Sequence, residues 1–330
     1  MDGYSQAPYA ALQANPDHLA LSGLGAPAQH TIKAAISCAG IGLHSGKDVN
    51  VTLRPAFADS GIVFRRVDLG IDIPARFDRV TDTRLCTVVA SPDQPHARVG
   101  TVEHLMAALS GAGIDNLLIE LDGPELPVLD GSAEPWMFLL DCAGVVALDA
   151  PALAIEVLRT VRVQEGVAFA ELRPGDSACL DMALSIAFDA PAIGRQAITL
   201  SLHGDTFRQE LARARTFTFK DEIAGLQAAG LARGGSLDNA VVVDGARVLN
   251  ASGLRMPDEF VRHKLLDAVG DLALAGGALH GRFVGHRSGH ALNNRLLRAL
   301  FADAANWREA RSPSVVGWMD VQRRETAAAA

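Results

Sequence analysis

A chain of 330 residues, 49% hydrophobic and 21% charged, has room for two domains of ordinary size and the profile of a folded, water-soluble protein rather than a disordered one. A net charge of -8 argues against a nucleic-acid partner held through a basic face, although a local cluster of Arg and Lys can still hold an anionic substrate. The four cysteines lack C-x-x-C spacing, so neither a cysteine metal site nor a disulfide framework is suggested and a reducing compartment is expected.

Residues 1–28, rich in Ala, Pro, Gly and Gln, read as a disordered leader. They lack the basic and apolar regions of a signal peptide, and no later run approaches the roughly 18 apolar residues of a membrane span. The expected location is the cytoplasm, with any lipid contact peripheral.

Thr31 to Ile36 reads as a strand, and Ser37 to Gly46, with its glycines around His44, as a loop. Asp48 to Pro55 alternates polar and apolar residues as a strand should, with Gly61 to Arg66 as its neighbour. Thr101 stands where it could cap a short helix from Val102 to Leu109, ended by Gly111 and Gly113. Asp115 to Leu121 is a strand, Asp122 to Ser132 turn chemistry, and Glu134 to Ala143 a closing helix.

The unpatterned Ala/Pro-rich stretch at 149–152 marks a domain boundary. Strands follow at Ile155 to Val163, Val167 to Arg173 and Ala178 to Ala187, then helices at Phe207 to Ala212 and Asp221 to Ala229 and a strand at Ala240 to Val243. From Asp258 the apolar residues recur at helical spacing until Gly276-Gly277. Gly281 to Gly285 is a strand and His290 to Leu300 the last helix, before a tail that frays from Ser312. Two halves that each open with strands and end with a helix suit a duplicated α+β layout, but the self-similarity is too weak to establish a repeat.

On the helix from Asp258, His263 and Asp267 are four residues apart and share one face, with Asp271 one turn further on. Such a pair can contribute to a divalent-metal site, or be an exposed His/Asp pair on a solvated face. Adding His104 gives two histidines and one carboxylate with a fourth position left for water, the arrangement of a hydrolytic zinc. Glu103 could then take a proton from that water, or only complement the helix dipole. His290 could protonate a leaving amine with Asp271 orienting its ring, or merely cap the last helix. Lys264 could face an oxyanion or a phosphate. Thr216 could donate its hydroxyl to the same oxyanion, or be an ordinary strand residue.

Eight segments carry a resemblance: GIGLHSG (40–46), TVEHLMAAL (101–109), GIDN (113–116), DGSAEP (130–135), ARTF (214–217), GGSLDNAVVV (234–243), DEFVRHKLLDAVGDL (258–272) and SGHALNN (288–294). In this order, over about residues 30–302, they are similar to the UDP-3-O-acyl-N-acetylglucosamine deacetylases, zinc amidases that commit a cell to lipid A synthesis. The resemblance implies one Zn²⁺ per chain on His104, His263 and Asp267, Glu103 as general base, and His290 as general acid supported by Asp271. It implies Lys264 and Thr216 assisting at the oxyanion and the substrate, and substrate contacts from Leu43, His44, Phe217, Phe219, Lys264 and Arg287. The implied substrate is a UDP-linked 3-O-acylated glucosamine, and the protein is expected to be a monomer.

The implied fold is α+β: two similar two-layer α/β-sandwich domains, 29–150 and 151–305, with the active site in the cleft between them and a tail at 306–330. A small β-α-β insert in the second domain, about 217–243, should form an apolar passage for the acyl chain, with Ile223, Leu226, Ala229 and Leu231 lining it. Those four could equally be the core face of an ordinary helix. Two positions depart from a well-known relative, which has an apolar residue at Arg84 and Lys at Arg287.

Overall fold

The computed structural model describes residues 28–203 and 205–311. The leader expected at 1–28 lies, but for Ala28, outside them, as does the tail from Ser312. Within them the chain is α+β, with five α-helices and five sheets. None of the helices is long and apolar enough to cross a membrane.

Asp48–Pro55 buries every second residue, Val49, Val51 and Leu53, as its alternation requires. It lies second in a five-stranded sheet ordered Ile36–Ile41, Asp48–Pro55, Leu117–Leu121, Ile62–Arg66, Ile71–Pro74. The expected 31–36 strand is two strands, Ala28–Ile32 and Ile36–Ile41, and the second takes the first part of the segment read as a loop. Ala28–Ile32 turns away to pair with Val145–Pro151, so residues 149–151 of the unpatterned stretch are themselves strand.

Helix α1, Glu103–Ala112, buries its first seven residues and closes on Gly113 in the left-handed conformation. Thr101 is not its cap: the helix starts from Val102 without a side-chain cap, and the Thr101 hydroxyl donates to Glu125 instead. Helix α2, Glu134–Ala143, carries Pro135 in its first turn, where no N–H is needed, and packs beside α1.

The later part of the chain builds a seven-stranded sheet on the long strand Ala278–His286. Residues 278–280 pair in parallel with Leu153–Val157, and the rest runs between Ala168–Arg173 and Leu180–Ala187. The expected strand 155–163 is broken in two, Leu153–Val157 and Val161–Glu165. Arg195–Leu202, not among the expected strands, extends the sheet beyond Leu180–Ala187. Trp307–Arg311, assigned above to the tail, is a strand paired antiparallel with Leu153–Val157.

Phe217–Phe219, helix α3 at Lys220–Ala228 and Val241–Asp244 form the β-α-β unit expected at 217–243, its two strands parallel. Helix α4, Glu259–Ala273, contacts Leu180–Ala187 and Arg195–Leu202, and α5, His290–Phe301, contacts Val161–Glu165 and Ala168–Arg173. Helix α4 also packs directly on α1. That contact needs a glycine: a Cβ at Gly270 would fall 2.0 Å from the Glu103 carbonyl oxygen. Leu105 and Leu109 of α1 and Leu265, Leu266, Val269 and Leu272 of α4 are all buried in one cluster. Each such side chain contributes about 1.5–3 kcal/mol on burial, which holds the two helices at this short distance.

Candidate active site

Close packing of α1 on α4 brings Glu103 and His104, the first two residues of α1, against His263, Asp267 and Asp271 of α4, all five buried. His104 Nε2 lies 3.7 Å and His263 Nε2 3.3 Å from Asp267 Oδ1. One ligating atom from each of the three falls within 4.8 Å of the others. The His263 Nδ1–H donates to the Ala214 carbonyl at 3.0 Å, which leaves the Nε2 lone pair facing the cluster.

Burial, reinforced by the neighbouring His263, pushes His104 down to about 3, and burial lowers His263 too, so both imidazoles are neutral. Burial works against ionising Asp267, but His263 and Lys264 outweigh it and hold the carboxyl far below its usual range. Two neutral imidazoles beside an ionised carboxylate are the donor set a divalent cation of the zinc type takes. A separate observation agrees. Asp267 Oδ1 is buried without a hydrogen-bond partner among the described residues, an expensive state for a carboxylate oxygen unless a cation meets it.

Glu103 and His290 face each other beside this cluster, Oε1 to Nε2 at 3.8 Å. Complete burial raises the Glu103 carboxyl to about 7, into the range of a useful base near neutral pH. For His290 burial opposes charge, but Asp271 and Glu103 overcome it and the imidazole rises to about 9. Its Nδ1–H donates to Asp271 Oδ2 at 2.9 Å, so the Nε2–H of the charged ring points at the space shared with Glu103 and Asp267. His290 is the first residue of α5, with Gly289 at the cap position, so it does not cap the helix.

Lys264 donates to Asp267 Oδ2 at 2.7 Å and keeps its charge although half-buried. The carboxylate thus offers one oxygen to Lys264 and the other to the open cluster. Thr216 is half-buried, its N–H donating to the Gly131 carbonyl at 2.8 Å and its own carbonyl accepting from Val241. Next to it the buried Arg215 pairs bidentately with Glu259, which pins the segment before Phe217–Phe219 to the start of α4. His44 sits on the turn after Ile36–Ile41, both ring nitrogens buried and without a partner among the described residues; burial lowers its pKa, Glu125 opposes this and His290 adds to it. Leu43 packs near Gly235, at the far end of the β-α-β unit.

Phe217 meets the His263 ring with centroids 6.3 Å apart, and Phe219 lies 5.7 Å from Phe188. Phe217 and Phe188 are themselves 5.6 Å apart, so an aromatic cluster runs outward from the metal-type site. Ile223, Leu226 and Leu231 are half-buried, Ala229 is exposed, and no residue of α3 is fully buried. Arg287 is exposed, three residues before His290. Arg84 reaches back to Asp82, which it holds at 2.7 Å, with its side chain 86% exposed.

Three residues that sequence reasoning missed complete the centre. The Thr87 N–H donates to Glu103 Oε2 at 3.0 Å while its hydroxyl donates to Asp271 Oδ1 at 2.6 Å, so one buried residue orients both the base and the carboxylate behind His290. Nothing in its local sequence marks it. Asn293 also donates to Asp271, at 2.8 Å, and its spacing of three from His290 on an expected helix was a usable signal. Phe188, a bulky apolar residue just past a strand end, carried no signal that would tie it to Phe217.

A family profile described as LpxC, UDP-3-O-acyl N-acetylglycosamine deacetylase, matches residues 29–302. The chain is 50% identical over 285 residues to a protein of Stenotrophomonas maltophilia (strain K279a) named UDP-3-O-acyl-N-acetylglucosamine deacetylase, covering 84% of this chain and 92% of that one. Proteins of the same name from Idiomarina loihiensis and Anaeromyxobacter sp. (strain Fw109-5) are each 48% identical, over 281 and 286 residues. Those matches cover 84% and 87% of this chain, and 91% and 92% of the relatives.

Proposed function

The chain belongs to the UDP-3-O-acyl-N-acetylglucosamine deacetylase family, and on that footing we propose how its own residues perform the reaction. It is a deacetylase of lipid A biosynthesis, acting on the N-acetyl group of a UDP-linked 3-O-acylated glucosamine and releasing acetate. The observation that carries the residue assignment is the convergence, within 4.8 Å, of ligating atoms from His104, His263 and Asp267 beside the facing pair Glu103 and His290.

His104, His263 and Asp267 would hold one Zn²⁺ per chain. Zinc there supplies Lewis acidity, making a water easier to deprotonate and an acetamide carbonyl easier to attack. Glu103 takes the proton as the water oxygen adds to the acetamide carbon. The carbon–nitrogen bond then breaks, and His290 delivers its Nε2 proton to the departing amine, leaving acetate and a free amino group. Asp271, held in turn by Thr87 and Asn293, keeps His290 charged and aimed. Thr216 and Lys264 assist at the carbonyl oxygen, where negative charge develops.

Leu43, His44, Phe217, Phe219, Lys264 and Arg287 contact the substrate, Lys264 and Arg287 through the diphosphate. The aromatic cluster of Phe188, Phe217 and Phe219 and the apolar side of α3 take the acyl chain. The protein works as a cytoplasmic monomer of two α+β domains with the site between them.

Deacetylation of UDP-3-O-(3-hydroxyacyl)-N-acetylglucosamine by purified protein, before and after chelation and zinc readdition, tests this reading. Activity should vanish with the chelator and return with about one equivalent of Zn²⁺. A protein that binds one zinc and leaves this substrate untouched would refute the substrate and keep the site.

A further inference from the structure

Glu125 lies in the turn segment between Leu117–Leu121 and α2, is only 5% exposed, and has no place in the chemistry above. Its carboxylate accepts three hydrogen bonds. Oε1 takes the His44 N–H at 2.8 Å and the Thr101 hydroxyl at 2.9 Å, and Oε2 takes the Ser45 N–H at 2.7 Å. Two of these donors belong to the turn that carries His44. The third is two residues before Glu103 and three before His104.

The backbone around Glu125 repeats this bridging. Gly100 N–H donates to the Pro124 carbonyl and Leu126 N–H to the Gly100 carbonyl, while Val128 N–H donates to Ile41. Thr101 has φ of +55°, a left-handed conformation that a β-branched residue adopts only when its surroundings hold it there. The Glu125 carboxylate receiving its hydroxyl is the partner that does so. On its other side the His44 turn rests on the end of the β-α-β unit, with Gly234 N–H donating to the Leu43 carbonyl at 3.0 Å. A Cβ at Gly42 would stand 2.6 Å from Glu125 Oε2, so the turn closes tightly over the carboxylate.

We propose that Glu125 is a positioning residue that ties the His44 turn to the entrance of α1, fixing the unpartnered His44 ring relative to Glu103 and His104. It accepts from three donors, so only a group that is acceptor on both oxygens serves. A glutamine of the same size would turn an NH₂ toward either Ser45 N–H or the His44 and Thr101 donors. This inference rests on the deacetylase reading above for the activity it modulates.

The test uses the full-length, zinc-loaded protein with Glu125→Gln, His44→Ala and the double variant. Glu125→Gln should keep one zinc and lose about 10- to 100-fold in kcat/KM, the usual cost of removing a supporting hydrogen-bond partner. In the His44→Ala background the same change should cost much less, because its effect passes through that ring. Amide hydrogen exchange should quicken at His44 and Ser45 and stay slow in α1 and α4. Full activity in Glu125→Gln, an equal loss in both backgrounds, or faster exchange throughout the chain would overturn the proposal. Should Glu125→Gln fail to fold, Gly42→Ala displaces the carboxylate without removing it and must show the same non-additivity with His44→Ala. A wild-type protein that leaves the substrate untouched refutes the deacetylase reading instead, and the exchange pattern still decides the role of Glu125.

Discussion

Helices α3 and α4 both show apolar residues at helical spacing, yet the fold treats them oppositely. Twelve residues of α4 are buried, including its acidic and histidine side chains, whereas α3 buries none. Helix α4 is gripped by α1, α5 and the strands 180–187 and 195–202, so its polar residues are desolvated and held in one geometry. That suits a site whose carboxyl and imidazole groups must shift far from their ordinary pKa values. Helix α3 packs chiefly against its own small sheet and leaves its apolar side partly open, which suits the proposed acyl-chain surface. An amphipathic pattern thus says which side of a helix is apolar, and the neighbours decide whether that side becomes core or stays partly exposed.

The contrast can be broken at its strong end first. Glu103→Ala should lower kcat by about 10²–10⁴-fold, the worth of a general base, while zinc content measured by metal analysis stays near one per chain. Turnover close to wild type would remove Glu103 from the chemistry. Gly270→Ala drives a methyl group into the Glu103 carbonyl, and overpacking of this kind costs about 1–3 kcal/mol or more. A lower midpoint of thermal unfolding together with weaker zinc binding should follow, and unchanged values for both would mean the α1–α4 contact does not set the site.

Asp271→Asn sharpens the electrostatic half of the comparison. Asp271 is the leading charge that raises His290 to about 9, and in the proposed mechanism the protonated ring delivers the proton. Removing that charge lowers the His290 pKa, so the alkaline limb of the pH–rate profile should move to lower pH. A limb that stays in place would assign it to another group. The smallest expected change is at α3. Ile223→Lys should cost less than about 1 kcal/mol of stability, as half-exposed positions do, and leave zinc binding alone. It should raise KM for the acylated substrate more than for one lacking the acyl chain, and equal effects on both would place the chain elsewhere.

Long elements with strong periodicity were legible. Asp48–Pro55 and Glu134–Ala143 have the expected ends, and α4 and α5 fall within a few residues of theirs. The short strands Ile71–Pro74, Val80–Asp82, Val88–Ala90 and Arg98–Val99 were not, because two to four residues span too few alternations to show a period. Thr101 misled for a different reason. Its hydroxyl could satisfy either a helix N–H or a distant acceptor, and Glu125, 24 residues away, won.

What the amino-acid order determined by itself was local: a helix places His263, Asp267 and Asp271 on one stripe, and adjacency keeps Glu103 beside His104. Tertiary structure alone decided that these two pieces meet, through a glycine small enough to let α1 touch α4. It also decided which carboxylates are charged, since Glu103 and Asp267 carry the same chemistry and differ in what surrounds them. Burial raises the first, and His263 and Lys264 beside it lower the second. Thr87 and Glu125 belong to the same category, for a hydrogen-bond partner far along the chain leaves no periodic trace, and only folding brings donor and acceptor within 3 Å.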